Sequence, residues 1–430
     1  MGTKNGVSFM GDFVLNEAKR CLQCKNPLCK QGCPVNTPVN EVVKLLLEGN
    51  IMEAGKTLFE NNPLSIVCSL ICPHSRQCEG SCILGKKGEP IQVSIIENYI
   101  SDFYLNFAHS GNPKNPDKKV AVVGSGPAGI TIAFILAEKG YDITIFEGHD
   151  KIGGVMRYGI PEFRLPKEIL NRIKEKLIER GIKIRPNTLI GPVITIDDLF
   201  RDGYKAVFIG TGVWRPNGLR IKGETLGHVH YAIDYLKNPN VYDLGKKVCI
   251  IGAGNVAMDV ARTAVRHGAR EVSVMFRGTE ENIEADKIEV EYAKLDGVRF
   301  EYKKLPLEIC DGGVKYSECE VTKNEDGLFE FKNIDSKIHK FEADSVIIAI
   351  GQGPRANIIS STKGIDVTEK GLLYTDTFGR TTRNGIFASG DVVTGAKTVV
   401  EAVRLSKIVA DAIDKYVTEV MYKEKNNIEN

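Results

Sequence analysis

The sequence predicts an α/β protein in which a helical N-terminal domain precedes two nested Rossmann-like dinucleotide-binding domains. Three observations carry that reading. A strand, a glycine-rich turn and a helix follow one another at VAVVGSGPAGITIAFILAEKG, and the same order recurs at VCIIGAGNVAMDVARTAVRHGA. Before both, eight of the eleven cysteines crowd between Cys21 and Cys82, among segments of helical periodicity.

A chain of 430 residues exceeds one compact domain at roughly 100 to 200 residues per domain. Hydrophobic residues at 42% and charged residues at 26% are ordinary for a folded protein and exclude general disorder. A formal charge of +2 with no basic run argues against nucleic acid as a partner. The first residues lack the apolar stretch of a secretory signal, and no run reaches the ~20 apolar residues of a membrane helix. The expected location is the cytoplasm.

Residues 1–117 read as the helical domain, from NEVVKLLLEGNIMEAGKTLFE and IQVSIIENYISDFYLNFA, closed by the polar linker HSGNPKNPDKK. Residues 118–215 and 345–430 read as the first nucleotide domain, interrupted by the second at 216–344. The apolar strands AVFIGTG and SVIIAIG mark the expected crossings. The final strand, turn and long helix from GIFASGDVVTGAKTVVEAV is expected to return to the first domain.

In the first unit, Gly124, Gly126 and Gly129 stand where a tight turn, close approach of a pyrophosphate and close helix packing each exclude a side chain. Pro127 and Ala128 open the helix, whose dipole favours a phosphate at that end. Glu147 closes the second strand, where an acid accepts hydrogen bonds from a ribose hydroxyl. The distant GD of Gly390 and Asp391, taken with this turn, points to FAD instead of NAD. The helix beginning near Lys397 would bring the backbone N–H groups of Thr398 and Val399 to the flavin edge, stabilising negative charge on the reduced ring. The competing reading, three glycines that only make a turn, does not account for the acid and helix in the right order.

In the second unit Gly252, Gly254, Asn255, Val256 and Ala257 form the turn, with alanine in the third glycine position as in many nicotinamide sites. Arg277 follows the second strand where an NAD site often has an acid, which leans toward NADPH over NADH. Glu280, Glu281 and Glu284 oppose an added phosphate, and a solvated surface cation is the alternative for Arg277.

The cysteine runs RCLQCKNPLCKQGCP and VCSLICPHSRQCEGSC supply Cys21, Cys24, Cys29, Cys33, Cys68, Cys72, Cys78 and Cys82. Dense thiolates hold iron–sulfur clusters, and two clusters need eight ligand positions. Zinc accepts four thiolates as well, but a structural zinc would serve no purpose beside two nucleotide sites made for redox chemistry. A disulfide framework does not suit a reducing compartment.

Over nearly its whole length the chain resembles the small (β) subunit of glutamate synthase and its relatives, which include the N-terminal half or separate subunit of dihydropyrimidine dehydrogenase and the large subunit of ferredoxin-dependent NADP transhydrogenase. The resemblance rests on CLQCKNPLCKQGCP, ICPHSRQCEGSC, GSGPAG, GGVMRYGIPEFRLPK, IGAGNVAMD, FRGTEENIEA and ASGDVVTGAKTVVEAV, in that order. It implies two [4Fe-4S] clusters, one on Cys21, Cys24, Cys29 and Cys82, the other on Cys33, Cys72, Cys78 and Glu97. Cys68 is then a buried thiol beside the second. The resemblance also sets Gly153, Gly154, Arg157 and Tyr158 beside FAD. Relatives that bind NADPH often carry two adjacent basic residues where this chain has Arg277 and Gly278.

The expected activity is oxidation of NAD(P)H through FAD to the two clusters and on to a partner subunit that holds the final acceptor. Glutamate synthase, dihydropyrimidine dehydrogenase and an electron-bifurcating transhydrogenase are the competing assemblies. A scaffold with degenerate nucleotide sites and structural zinc is the rival from another class; the intact glycines, Glu147 and Asp391 speak against it.

Overall fold

A computed structural model describes residues 5–107, 112–324, 329–333 and 337–428, with side chains over 11–107, 112–324, 329–332 and 337–426. The chain divides into two compact units, the first formed by 1–156, 162–213 and 354–430, the second by 157–161 and 214–353.

The first unit opens with six helices, α1 (Asn5–Lys19), α2 (Leu28–Gly32), α3 (Val39–Leu47), α4 (Ile51–Asn61), α5 (Ser65–Ile71) and α6 (Val93–Leu105). The expected run over α3 and α4 is broken at Gly49, whose φ of +79° suits glycine alone. Val39, Val42, Val43 and Leu46 face Ala54, Leu58, Ile96 and Ile100 in one apolar core. Part of the expected linker, 109–111, lies outside the described residues. From Asn115 on it is already strand, because β1 (Asn115–Val123) begins within it.

Then come α7 (Pro127–Glu138), β2 (Tyr141–Phe146), α8 (Val155–Tyr158), α9 (Lys167–Glu179), β3 (Lys183–Arg185), α10 (Ile196–Arg201) and β4 (Ala206–Ile209). Val120 to Val123 and all of β4 are buried, the continuous apolar pattern of strands covered on both faces. The helical region packs onto this part through Phe59 against Phe134, ring centroids 5.2 Å apart, with the buried Arg180 guanidinium over both rings.

The second unit holds β5 (Arg215–Pro216), β6 (Val229–Tyr231), α11 (Ala232–Lys237), β7 (Lys247–Ile251), α12 (Asn255–Arg266), β8 (Glu271–Met275), α13 (Lys287–Leu295), β9 (Arg299–Glu301), β10 (Lys304–Cys310), β11 (Gly313–Lys323), β12 (Phe329–Asn333), β13 (His339–Glu342), β14 (Ser345–Ile348) and β15 (Gln352–Gly353). Its parallel sheet runs β6-β14-β7-β8-β9, and β10 to β13 form an antiparallel sheet. Arg262 ties α12 to α13 by reaching Glu289 and Asp296, each at 2.9 Å.

One boundary needs correcting. The return to the first domain was expected at 345, but β14 pairs in parallel with β6 and β7 and so belongs to the second sheet. Four consecutive buried apolar or small residues, SVII, read alike in either sheet, and only the pairing decides. The second unit runs on to Gly353.

The chain then adds α14 (Asn357–Ser361), β16 (Ile386–Ala388), α15 (Asp391–Thr394) and α16 (Val399–Ile428) to the first unit. Strand β16 completes the first parallel sheet, ordered β16-β4-β1-β2-β3, and α16 lies along α7. No helix among the described residues is long and apolar enough to cross a membrane.

Candidate redox cofactor sites

At the first glycine-rich turn, a Cβ on Gly129 would stand 2.0 Å from the Gly124 carbonyl oxygen, so α7 approaches β1 more closely than any side chain permits. Gly126 differs: nothing lies nearer than 4.0 Å to its Cβ direction. It leaves an open cradle at the N-terminus of α7, where Pro127 occupies the first position at no cost in hydrogen bonds. A pyrophosphate fits such a cradle, held by the free N–H groups and the helix dipole.

Four predicted pieces meet there. Gly153 donates its N–H to the Ser125 carbonyl at 3.0 Å, and Gly154 lies against Gly126. Gly390 packs on Ala128, a Cβ there coming within 3.1 Å. Glu147 is buried and accepts from the Ser125 N–H and hydroxyl on one oxygen, and from the His149 N–H at 2.8 Å on the other. Burial pushes its pKa up, but the bonds from His149 and Ser125 prevail and hold it below the usual carboxylate range. Ser125 and His149 were missed in the sequence. Both sit between motif positions, and only the fold shows that they lock Glu147 in place.

Asp391 accepts from the Lys397 N–H at 3.1 Å, closing the loop that leads to α16. Burial raises its pKa to about 6. Thr398 caps α16, accepting weakly from the Glu401 N–H at 3.4 Å, and Val399 begins the helix. Arg157 and Tyr158 fall in the second unit. There the Tyr158 ring meets Trp214 edge to face at 6.5 Å, with Lys237 Nζ 5.9 Å from the ring.

In the second unit Gly252 (φ +122°) makes the turn after β7, and a Cβ there would stand 2.3 Å from the Ala349 carbonyl oxygen. Gly254 has nothing within 4 Å, a second open cradle, at the start of α12. Asn255 accepts from the Asp286 N–H at 2.8 Å, tethering the loop before α13. Val256 is half-buried, and Ala257 is fully buried in the third glycine position. Arg277 is exposed beyond β8, its guanidinium stacked 4.3 Å over Phe331 of β12. Glu280 is already paired with Lys294, which offsets one of the charges that oppose a phosphate near Arg277.

The thiols form two groups. Cys21, Cys24, Cys29 and Cys82 line one cavity with Leu22, Leu28, Ile83, Leu84 and Ile91. Burial first and neighbouring thiols second push Cys21 up, and Cys29 up to about 11. In the second group Cys72 is raised by its hydrogen bond with Cys68, then by burial, Glu97 and Cys78, while Cys78 is raised by burial, then by Glu97, Glu79 and Cys33. Glu97 of α6 is buried among these thiols and pushed up to about 8, by burial and then by Glu79.

Such groups cannot all ionise without a cation to neutralise them, and ligation of a cluster by thiolates supplies one. Among the described residues no three Cys, His, Asp or Glu side chains converge on one ion-sized point. All eleven cysteines are free thiols, so no disulfide framework is formed. The residues present fit iron–sulfur clusters.

Comparison with known proteins agrees with this geometry. Residues 6–108 match the family "dihydropyrimidine dehydrogenase domain II, 4Fe-4S cluster", and 97–200 and 118–405 match the pyridine nucleotide-disulphide oxidoreductases. The glutamate synthase [NADPH] small chain of Escherichia coli is 34% identical over 92% of this chain and 90% of that protein. The NAD-dependent dihydropyrimidine dehydrogenase subunit PreT of Salmonella typhimurium is 32% identical over 95% of each. Among solved structures, FprA of Mycobacterium tuberculosis in complex with NADPH shares the fold, with a TM-score of 0.63 at 17% identity over 73% of this chain and 86% of that one.

Proposed function

Because the chain belongs to the glutamate synthase small-chain family, and is thus an NAD(P)H-linked flavin and iron–sulfur oxidoreductase subunit, we propose that it is the electron-input component of a larger complex. It oxidises NAD(P)H and delivers the electrons to an acceptor held by a partner subunit. Two dinucleotide cradles and two thiol groups in one chain support this reading. The observation that carries it is that the first dinucleotide site and both thiol groups lie in the same compact unit, on one continuous packing.

When bound, FAD supplies conversion between two-electron hydride chemistry and one-electron transfer, and iron–sulfur clusters supply the one-electron carriers. The protein's part is to hold and orient them. The cradle at Gly126 takes the pyrophosphate of FAD, Glu147 is fixed by Ser125 and His149 to meet the adenosine ribose, and the Asp391 loop meets the ribityl end. The start of α16 at Thr398 and Val399 stabilises negative charge on the reduced ring. Gly254 and Asn255 receive the nicotinamide dinucleotide, with Arg277 at its ribose end favouring NADPH. Cys21, Cys24, Cys29 and Cys82 hold one cluster; Cys33, Cys72, Cys78 and Glu97 hold the other.

The first thiol group lies at the exit. Leu22, 61% exposed, Leu28 and Ile83 surround it, and the exposed Lys19, Lys25, Lys30, Lys86 and Lys87 nearby make no ion pair among the described residues. Exposed apolar side chains flanked along the sequence by cations suit a partner subunit with an acidic face.

Anaerobic purification with metal analysis, followed by titration with NADPH and with NADH while flavin absorbance is followed, tests the reading. Iron with bleaching by NAD(P)H supports it, and zinc without iron overturns it. Copurification of the native complex separates its versions, since an amidotransferase, a pyrimidine-reducing subunit or a ferredoxin-linked flavoprotein each names a different acceptor.

A further inference from the structure

An unbroken hydrogen-bond chain joins the last helix to the second thiol group. Lys407 of α16 donates from Nζ to the Asn61 carbonyl oxygen at 2.7 Å and to Asn61 Oδ1 at 3.0 Å. Asn61 Nδ2 donates to Thr37 Oγ1 at 3.3 Å, and Thr37 Oγ1 lies 3.2 Å from Cys33 Sγ. Thr37 is buried, and Asn61 and Lys407 are half-buried, in the seam between the helical region and the first nucleotide fold.

The direction of this chain follows from the valence of its ends. An ammonium group has donors and no acceptor, so Lys407 requires an oxygen from the Asn61 amide and turns its NH2 toward Thr37. Thr37 then accepts from Asn61, and its own hydrogen is left for Cys33 Sγ, which as a cluster ligand is a thiolate and only accepts. Without Lys407 the amide is free to flip and the threonine hydroxyl to turn away. The cation itself is near enough to Cys33 to interact with it electrostatically.

We propose that Lys407, Asn61 and Thr37 form a polarised relay that raises the reduction potential of the cluster bound through Cys33. A hydrogen bond donated to a ligand sulfur and a nearby positive charge both favour the more negative, reduced state. The relay rests on the reading of Cys33 as a ligand. It also explains why the tuning group sits on α16: Lys407 is eight residues beyond Val399, roughly 12 Å along the helix from the end that borders the first dinucleotide site. One rigid helix thus faces both the flavin site and the cluster, and the three are positioning residues.

The test is an anaerobic redox titration of the holoenzyme followed by electron paramagnetic resonance. Thr37→Val and Lys407→Met are expected to lower the midpoint potential of one cluster and leave the other unchanged, while Thr37→Ser restores the wild-type value. Iron content is measured in each variant. Should Thr37→Val lose its cluster, Lys407→Met, which touches no ligand, carries the same expectation. Unchanged potentials in fully loaded Lys407→Met overturn the relay. A Cys33→Ser protein with undiminished iron and an unaltered spectrum overturns instead the assignment of Cys33.

Discussion

Tyr141 of β2 donates its hydroxyl hydrogen to Asp414 of α16 across 2.7 Å, fastening the last helix to the first sheet over 273 residues of chain. Lys139 reaches the same carboxylate at 3.0 Å. Tyr141 is fully buried. Burial raises the Asp414 pKa, but the bonds from Tyr141 and Lys139 outweigh it and hold the group below its ordinary value.

Tyr141→Phe removes a hydrogen bond to a charged group and should cost about 1.5–3 kcal/mol, read as a lower denaturant midpoint. Because the folded pKa of Asp414 is depressed, its stabilisation is complete above the unfolded value of about 3.9 and is lost as pH falls through the folded one. The difference between wild type and variant should therefore be full at neutral pH and shrink below about pH 4.

Gly129→Val is expected to abolish FAD retention while the second nucleotide site persists. Its side chain would enter the space of the Gly124 carbonyl, 2.0 Å from the first added carbon, and drive α7 from β1. Flavin content against protein, with nicotinamide binding as the control, checks this.

Arg277→Ala should lower kcat/KM with NADPH by about 10- to 100-fold, the worth of a charge-assisted pair with a phosphate, and change that with NADH by less than about 3-fold. Equal losses with both cofactors would leave Arg277 as a structural partner of Phe331, over which it stacks.

Asp391 behaves in the opposite sense to Asp414. Its folded pKa of about 6 exceeds its unfolded one, so the native apoprotein binds the extra proton and loses stability as pH rises from about 4 to 6. Asp391→Asn should stabilise the FAD-free protein at pH 7.5 by an amount on the order of 2 kcal/mol, fading toward pH 4, while weakening FAD binding. Thermal melts of apoprotein across that range decide it.

Glu97→Ala should reduce iron from about eight toward about four per chain, whereas Glu97→Cys should retain the second cluster with a shifted potential, since thiolate and carboxylate differ in softness. Full iron and an unaltered spectrum in Glu97→Ala would release Glu97 from the ligand set.

Much of this arrangement is legible in the sequence where geometry is local. The turns at Gly124 and Gly252 take φ of +98° and +122°, a demand that glycine meets by itself, and the short spacing of Cys21, Cys24 and Cys29 places three thiols on one small loop and helix whatever surrounds them. Strand identity was legible too, from the apolar runs of β1 and β4. Membership of a sheet was not: β14 reads the same in either fold, and its pairing with β7 alone assigns it.

The tertiary structure decided whatever joins residues far apart in the chain. Cys82 meets Cys21 and Cys29, Ser125 and His149 pin Glu147, Phe331 lies under Arg277, and Asn61 connects Lys407 to Thr37. His149 is two residues from Glu147, but Ser125 stands 22 residues from it and Lys407 stands 346 from Asn61, and no short spacing encodes contacts of that kind. The sequence by itself determined which chemical groups this protein carries, since cofactor ligands and phosphate cradles are built from local motifs. Only packing determined which groups share a site and that the long helix α16 connects through Asn61 and Thr37 to the thiol of Cys33, because burial is summed over the whole chain before any one contact is made.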